Sequence, residues 1–537
     1  MSLGLAAGGG FALWTAFPGA LSEGGWWPGA VLGVTALCLA TRGRGAVTGF
    51  GSGLVLGLAF LIPHLAWSGT FVGVVPWMAL ATLCALFYAV LGAAMPFLQR
   101  THAAVSPLVI AGGWVAIEAA RARVPFGGFP WARLVFSQAD APTLSWAGVA
   151  GAASVTFVVA LAGALLALGL VKCVHQLQKQ RSSEPSTAAR WPALVPVVAA
   201  VAVLASGAVL PRPSAAQEGT VNVAAVQGNT PRAGLDFNAE RRAVLDNHVA
   251  ATSALAAAVQ AGQATAPDLV LWPENSSDID PYRDDQAAAA IEGAARQVGA
   301  PLLIGAVLDG PGRYLSNAGL VITPQEGLAG AVDDPDRNYI KRRPAPFAEY
   351  MPYRSFFRTF SDKVDLVRRD FLPGQRGGSV VLGGVRVGDV ICFEVAFDDL
   401  VRDSVRSGAQ MLVVQTNNAT FGYSDEAVQQ LAMSRVRAVE TGRTVVQIST
   451  VGVSSIIAPD GSAPERTTLF TQDVLQADVA LRSEQTLATR LGSLPEWLMA
   501  STVLLPLAMR LRARVRARTS QGREVSAVGA AGREERG

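Results

Sequence analysis

Val387-Gly-Asp-Val-Ile-Cys-Phe-Glu-Val-Ala-Phe397 starts as an apolar, β-forming run and passes without a spacer into an amphipathic helical pattern at 398–407. A strand-to-helix turn of this kind projects a side chain from a rigid scaffold. It also leaves nearby backbone N–H groups free to bind an oxyanion. The residue at the turn is Cys392. Upstream and downstream, β-rich runs at 220–226, 268–272, 301–307, 318–323, 411–415, 444–449 and 453–458 alternate with amphipathic patterns at 237–261, 284–297 and 425–441. Strands alternating with helices predict a layered α/β domain with helices on both faces of sheet.

The rest of the 537 residues has a different character. Half of the chain is apolar and only 16% is charged, and the mean hydropathy of +0.33 is high for a soluble protein of this size. Long uncharged stretches fill the first 210 residues, while the charge concentrates between Arg212 and Arg490. Taking about 20 apolar residues as one crossing, the sequence predicts seven spans at 3–21, 27–40, 46–67, 74–98, 106–120, 143–171 and 191–210, and an eighth at 494–509. The expected organisation is a transmembrane region over 1–211, a catalytic domain over 212–490, an eighth transmembrane helix over 491–510 and a basic tail over 511–537. Segments 42–44, 99–102 and 172–190 carry the basic residues of the short loops, and the tail from Arg510 holds eight Arg against three Glu. The excess of basic residues places both termini in the cytoplasm and the globular domain outside. The loop 121–142 disagrees, since it would be external yet carries Arg121, Arg123 and Arg133. The segment 172–190 and the last 25 residues read as solvated. The net charge of +3 leaves no nucleic-acid footprint.

Cysteine usage narrows the chemistry. Of four cysteines, Cys38 and Cys84 fall inside predicted spans and Cys173 at a cytoplasmic end, so Cys392 is the single thiol of the external domain. It cannot form an intrachain disulfide there, which leaves a buried inert residue or a nucleophile. A nucleophile needs a base, and the domain's one histidine, His248, lies in an amphipathic helix away from the strand ends. The remaining candidates are a carboxylate and a lysine. Glu274 follows the strand in Leu269-Val-Leu-Trp-Pro-Glu274, and Lys341 lies in the loop-like stretch Asn338-Tyr-Ile-Lys-Arg-Arg-Pro-Ala-Pro-Phe-Ala-Glu-Tyr350. No metal-ligand cluster or phosphate-cradling loop appears, so no cofactor is expected.

Taken together, Trp272-Pro-Glu274, Tyr339-Ile-Lys341, Pro346-Phe-Ala-Glu-Tyr350, Ile391-Cys-Phe-Glu394 and Asn417-Asn-Ala-Thr-Phe-Gly422 resemble, in that order, the motifs of the apolipoprotein N-acyltransferases, membrane-embedded members of the nitrilase superfamily. Gly127-Gly-Phe-Pro-Trp-Ala-Arg-Leu-Val-Phe-Ser-Gln138 is similar to that family's segment between its fifth and sixth helices. The resemblance implies an eight-helix bundle with a nitrilase-like α-β-β-α sandwich inserted before the last helix. It also implies a bacterial cell-membrane location and a catalytic triad of Glu274, Lys341 and Cys392. In that scheme Cys392 takes an acyl chain from a phospholipid as a thioester and passes it to the α-amino group of a diacylglyceryl-modified cysteine that begins an apolipoprotein. Glu274 would be the base, and Lys341 would steady the tetrahedral intermediates. Glu349 would orient Lys341 or the thiol, and Glu394 matches another functional position; for both, a structural ion pair or cap is the alternative. Phe393 stands where the family often has tyrosine, and Thr420 where many members carry tryptophan. The aromatic run 350–357 is either an arm that dips toward the bilayer or ordinary packing against the sheet.

Two other functions share these residues. One is a membrane-tethered amidase that gives its thioester to water, and the other is a noncatalytic scaffold of the same fold. The many spans favour transfer between two membrane-held substrates, and a monomer is expected.

Overall fold

The computed structural model describes residues 1–182, 191–230, 240–506 and Ala508. Its N-terminal part is helical: α1 (Ser2–Ala16), α2 (Pro28–Thr41), α3 (Ala46–His64), α4 (Val74–Leu98), α5 (Ser106–Arg121), a short α6 (Trp146–Ala150), α7 (Ala152–Ser182) and α8 (Trp191–Ala205). By length and composition, three of the described helices can cross a membrane, within Ala46–His64, Val74–Leu98 and Ala152–Gln178; Pro28–Thr41 and Ala193–Val209 are apolar but shorter. Seven spans were expected in this part, 27–40 and 106–120 being brief as read, and helix breakers change the bounds of two others. The span 3–21 stops at Ala16, because Phe17 is extended and Gly19 has φ +96°. The span 143–171 is cut at Gly151, where φ is +79°. The segment 172–190, expected to be solvated, is helical as far as Ser182, and 183–190 lies outside the described residues.

Small residues let α3 and α4 approach closely. A Cβ on Gly49 would lie 2.2 Å from the carbonyl oxygen of Gly92, and one on Gly53 would lie 2.1 Å from that of Tyr88. In an apolar solvent, helices associate through such close packing because no hydrophobic drive pulls them together.

Two sheets build the second part. The strands are β1 (Thr220–Gln227), β2 (Leu269–Leu271), β3 (Leu302–Asp309), β4 (Leu315–Ile322), β5 (Asn338–Ile340), β6 (Ser379–Leu382), β7 (Val385–Ile391), β8 (Met411–Thr416), β9 (Val445–Ser449), β10 (Ser455–Ile457) and β11 (Asp473–Ala480). Their order is β11-β1-β2-β3-β4-β5 in one sheet and β10-β9-β8-β7-β6 in the other. Both have a parallel centre, β1-β2-β3 and β7-β8-β9, flanked by antiparallel strands. Val221, Val223 and Ala225 pack against Val387, Val413 and Val446 between the sheets. The alternate residues Ala224 and Val226 face α9 (Arg241–Gln260) and α10 (Asp285–Val298). Burial on both faces makes these strands read as continuous apolar runs. With α11 (Arg354–Arg358) in a loop, α12 (Asp398–Arg406) and α13 (Glu426–Thr441) cover the second sheet, completing an α-β-β-α sandwich. Positions 237–239 of the expected helix 237–261 lie outside the described residues.

The sequence missed β5, β6 and β11. The segment containing β5 reads as a loop, because a three-residue strand is too short to show a period. The other two pair at sheet edges, where half-exposed residues blur the pattern.

The outer helices of the second sheet are also the seam with the N-terminal helices. Leu431, Val436 and Val439 of α13 share one apolar cluster with Trp131 and Leu144. Gln429 accepts from the indoles of Trp67 (3.1 Å) and Trp131 (2.8 Å) and donates to the His64 carbonyl (3.2 Å). Arg133, 4% exposed, meets Asp398 of α12 at 2.7 Å, and Arg437 of α13 holds the same carboxylate at 2.8 Å. The arginines that disagreed with the charge rule are thus engaged in structure. Arg121 donates to the Phe129 carbonyl at 3.2 Å, and Arg123 pairs at 2.6 Å with Glu496 on α15 (Leu494–Ser501), which follows α14 (Leu487–Leu491). The expected span 494–509 begins in α15, and Leu507, Met509 and the basic tail 511–537 lie outside the described residues.

Candidate active site

The first sheet brings two of the expected residues together. Glu274 leaves the end of β2, its carbonyl anchored at 3.0 Å by the Thr450 hydroxyl. Lys341 follows β5, and its amide donates to the Asn317 carbonyl at 2.9 Å. Register places the two side chains in contact, Lys341 Nζ lying 2.9 Å from Glu274 Oε1. The same ammonium lies 3.0 Å from Glu349. Asn317 Nδ2 bridges both carboxylates, donating to Glu274 Oε1 at 2.8 Å and Glu349 Oε1 at 3.0 Å. Glu349 is held in turn by the Ala345 amide at 2.6 Å. Burial works against the Lys341 charge, but Glu274, Glu349 and Cys392 outweigh it and hold its pKa well above the ordinary lysine value.

The second sheet supplies the thiol. Cys392 is the first residue of a 3-10 turn (Cys392–Ala396) rather than the last of the strand, and its φ of +53° is rare for a residue with a Cβ. Burial pushes its thiol well up, Glu274 adds to the rise and Lys341 opposes it. The resting sulfur is therefore protonated, with a carboxylate and an ammonium within electrostatic reach.

Glu394, fully buried, does not act on the sulfur directly. Its carboxylate accepts from the amides of Ile391 (2.9 Å), Arg342 (2.7 Å) and Arg343 (3.0 Å) and from the Tyr339 hydroxyl (2.9 Å). One side chain thus fastens the turn that carries Cys392 to the loop that carries Lys341. Phe393 stacks on Phe129 (5.8 Å) and Trp131 (6.3 Å) and meets Phe397 edge-on at 5.1 Å. It forms part of the wall of a cavity of about 390 Å³ that Phe126, Arg342, Arg343, Tyr350 and Phe397 also line. Thr420 sits in a 3-10 turn (Ala419–Phe421) beside Phe421, whose ring meets Trp67 at 5.0 Å.

The aromatic run packs on a loop of the helical part rather than on the sheet. Phe357 and Phe347 pack with Phe126 of the α5–α6 loop, at 6.2 and 5.4 Å. Tyr353 and Phe356 stay 73% and 58% exposed. His248 stands apart, buried in α9 and bonded through Nδ1 to the Val244 carbonyl.

The sequence missed Asn317, Tyr339, Thr416 and Gln430. Asn317 had a visible signal, an amide inside the otherwise apolar strand β4. Thr416 Oγ1 and Gln430 Nε2 lie 3.6 and 3.8 Å from the Cys392 sulfur, and no local pattern marks them.

The family described as the apolipoprotein N-acyltransferase N-terminal domain matches residues 9–165, and the carbon-nitrogen hydrolase family matches residues 222–489. An apolipoprotein N-acyltransferase of Mycolicibacterium smegmatis is 40% identical, over 91% of this chain and 82% of its own length. One from Geobacter metallireducens is 28% identical over 86% and 87%. Among solved structures, a mutant of the Nesterenkonia AN1 amidase of the nitrilase superfamily is similar over 51% of this chain and 95% of its own, with 18% identity and a TM-score of 0.37.

Proposed function

This chain belongs to the apolipoprotein N-acyltransferase family, and from that premise we propose that it takes a fatty acyl chain from a membrane phospholipid and delivers it, through a thioester on Cys392, to the N-terminal S-diacylglyceryl-cysteine of apolipoproteins. The reaction is the last step of lipoprotein maturation. The observation that carries the residue assignment is the contact of Lys341 with Glu274, 2.9 Å apart and electrostatically coupled to the one thiol at a strained turn.

Glu274 takes the Cys392 proton, and the thiolate attacks the ester carbonyl. The resulting oxyanion is held by the Lys341 ammonium and by the backbone N–H groups that open the 3-10 turn, which lack partners within it. Collapse breaks the ester bond, and the leaving alkoxide takes the proton from Glu274 and departs as a lysophospholipid. The lipoprotein α-amine then attacks the thioester, Glu274 removes its proton, and the thiolate of Cys392 is expelled. Glu349 and Asn317 hold Lys341 and Glu274 in place throughout, and Glu394 fixes the distance between turn and loop.

Eight crossings with both termini in the cytoplasm and the sandwich outside are the topology that suits this chemistry, because both substrates are lipids held in the membrane. A monomer suffices for it, since Glu274, Lys341 and Cys392 come from one chain. The test is mass spectrometry of the protein mixed with phospholipid. One acyl mass on the peptide containing Cys392, lost in Cys392→Ala, is the expected result, whereas an acylated Cys38 or Cys84 overturns the assignment.

A further inference from the structure

Glu274 and Lys341 act electrostatically on the Cys392 sulfur from the first sheet, and on the outer side of the second sheet the N-terminal part of α13 comes within 3.8 Å of it. We propose that Gln430 of α13 is a positioning residue for the nucleophile, its side-chain amide donating to the sulfur and holding it as thiolate during attack. The inference rests on the reading of Cys392 as nucleophile.

The geometry leaves the amide one orientation. Gln430 Oε1 accepts from Thr416 Oγ1 at 2.8 Å and from Asn418 Nδ2 at 2.9 Å, so Nε2 is the end that faces Sγ, at 3.8 Å. A flipped amide would set an N–H group against the Asn418 Nδ2 donor. Asn418 is itself fixed, because its Oδ1 accepts from Ser449 Oγ at 2.6 Å and its Nδ2 donates to Glu426 Oε2 at 2.5 Å. The single Thr416 proton has a closer acceptor in Gln430 Oε1 (2.8 Å) than in the sulfur (3.6 Å). Gln430 is 0% exposed, so an N–H turned away from the sulfur would lose its acceptor, at a cost comparable to a full hydrogen bond.

The site needs a second donor. Among the described residues, the charged or titratable groups that act most on the sulfur are Glu274, Lys341 and Glu426. Burial and the Glu274 carboxylate disfavour the thiolate, Glu426 adds to this when ionised, and among the described residues Lys341 is the cation that favours it. The Lys341 ammonium is shared between Glu274 and Glu349, so a neutral donor that no carboxylate competes for complements it. As Glu274 withdraws the proton, the hydrogen bond from Gln430 becomes charge-assisted and strengthens.

The test is iodoacetamide alkylation of Cys392 in the full-length, detergent-solubilised protein, followed across neutral to alkaline pH by peptide mass spectrometry. Gln430→Met keeps the length and removes the donor, and its profile is expected to move to higher pH. Below the midpoint, alkylation slows about tenfold, equivalent to about 1.4 kcal/mol of thiolate stabilisation, while the alkaline plateau stays where it is in the wild type. Gln430→Glu, of the same shape but without a free N–H, moves the midpoint further and stands in for the Met variant should that not accumulate folded. An unmoved midpoint, or a lowered plateau with the midpoint unmoved, overturns the proposal. No acyl donor is needed for this readout, so its failure leaves acyl transfer by Cys392 standing. Conversely, a shifted midpoint without any acyl mass on Cys392 counts against the proposed function alone.

Discussion

Lys341 Nζ and Glu274 Oε1 stand 2.9 Å apart with side chains only 2% and 5% exposed. Two charges withdrawn from water to this degree are tolerable only because each compensates the other. Such a pair is a proton acceptor with a cation already in place, and it needs no solvent rearrangement when negative charge appears beside it.

Removing the cation should therefore do more than slow the chemistry. Lys341→Met leaves Glu274 and Glu349 facing each other through Asn317, and the variant should lose about 3 kcal/mol of stability or more, as broken buried pairs do. Acyl transfer should fall by at least two orders of magnitude, of the size seen when an oxyanion donor is lost. A thermal melt and a lipid-substrate acylation assay, run on the same preparation, separate the two effects. Full activity in a folded Lys341→Met protein is incompatible with the mechanism.

Glu394 should behave as a clamp. In Glu394→Gln one carboxylate oxygen becomes an NH₂ group among N–H donors from Ile391, Arg342 and Arg343, so about 2 kcal/mol of stability should be lost. Tyr339→Phe removes one donor to the same carboxylate and should cost about 1 kcal/mol. If Glu394 fixes the turn to the loop, both variants should still form the thioester, more slowly and in that order of severity, as read by time-resolved mass spectrometry.

Glu426 predicts a pH dependence. Burial, opposed by Asn418 and helped by Glu274, raises its pKa to about 8. A carboxyl whose folded pKa lies above its unfolded one contributes most below the unfolded value, and that contribution is lost as pH rises through the folded one. Stability should therefore decline between about pH 4.5 and pH 8. Glu426→Gln keeps the acceptor for Asn418 and flattens that decline, so its advantage over the wild type should grow with pH, reaching on the order of a few kcal/mol at the alkaline end. Parallel melting curves for the two proteins would contradict the assignment.

The seam between sandwich and helices rests on Asp398, shared by Arg133 at 2.7 Å and Arg437 at 2.8 Å. These two arginines and their hydrogen bonds outweigh burial and hold its carboxyl below the ordinary range. The stability it contributes is present above the ordinary carboxylate pKa and is lost as pH falls below it. Asp398→Ala leaves two buried guanidinium groups without that partner and should cost about 3–5 kcal/mol. Limited proteolysis should then cut between the helical part and the sandwich faster than within either; unchanged cleavage would show that the apolar seam alone suffices.

The order of motifs, the alternation of strands and helices and the positions of most helices were legible in the sequence because each depends on residues close together in the chain. Glu274, Lys341 and Cys392 could be singled out there because each stands at or near the end of an element, where side chains become available for chemistry. Full-length spans were harder to read. Hydropathy sums over a window and passes across Gly19 and Gly151, whereas the helix depends on each φ along it. Cys392 was legible as the candidate nucleophile, but not as a residue with positive φ, since nothing in its side chain favours that conformation.

By itself the sequence determined the candidate residue types, their order and the division into a greasy helical part and an α/β part, because composition and period are local properties. The tertiary structure decided which side chains meet. Asn317 bridges two carboxylates through strand register, Gln430 reaches the sulfur from a helix on the far side of the sheet, and Arg133 is consumed at the seam. Each contact joins residues from different elements, 32 positions apart at the nearest, between Asn317 and Glu349, and 265 at the farthest, between Arg133 and Asp398. Distances of that kind are fixed only when the sheets pack.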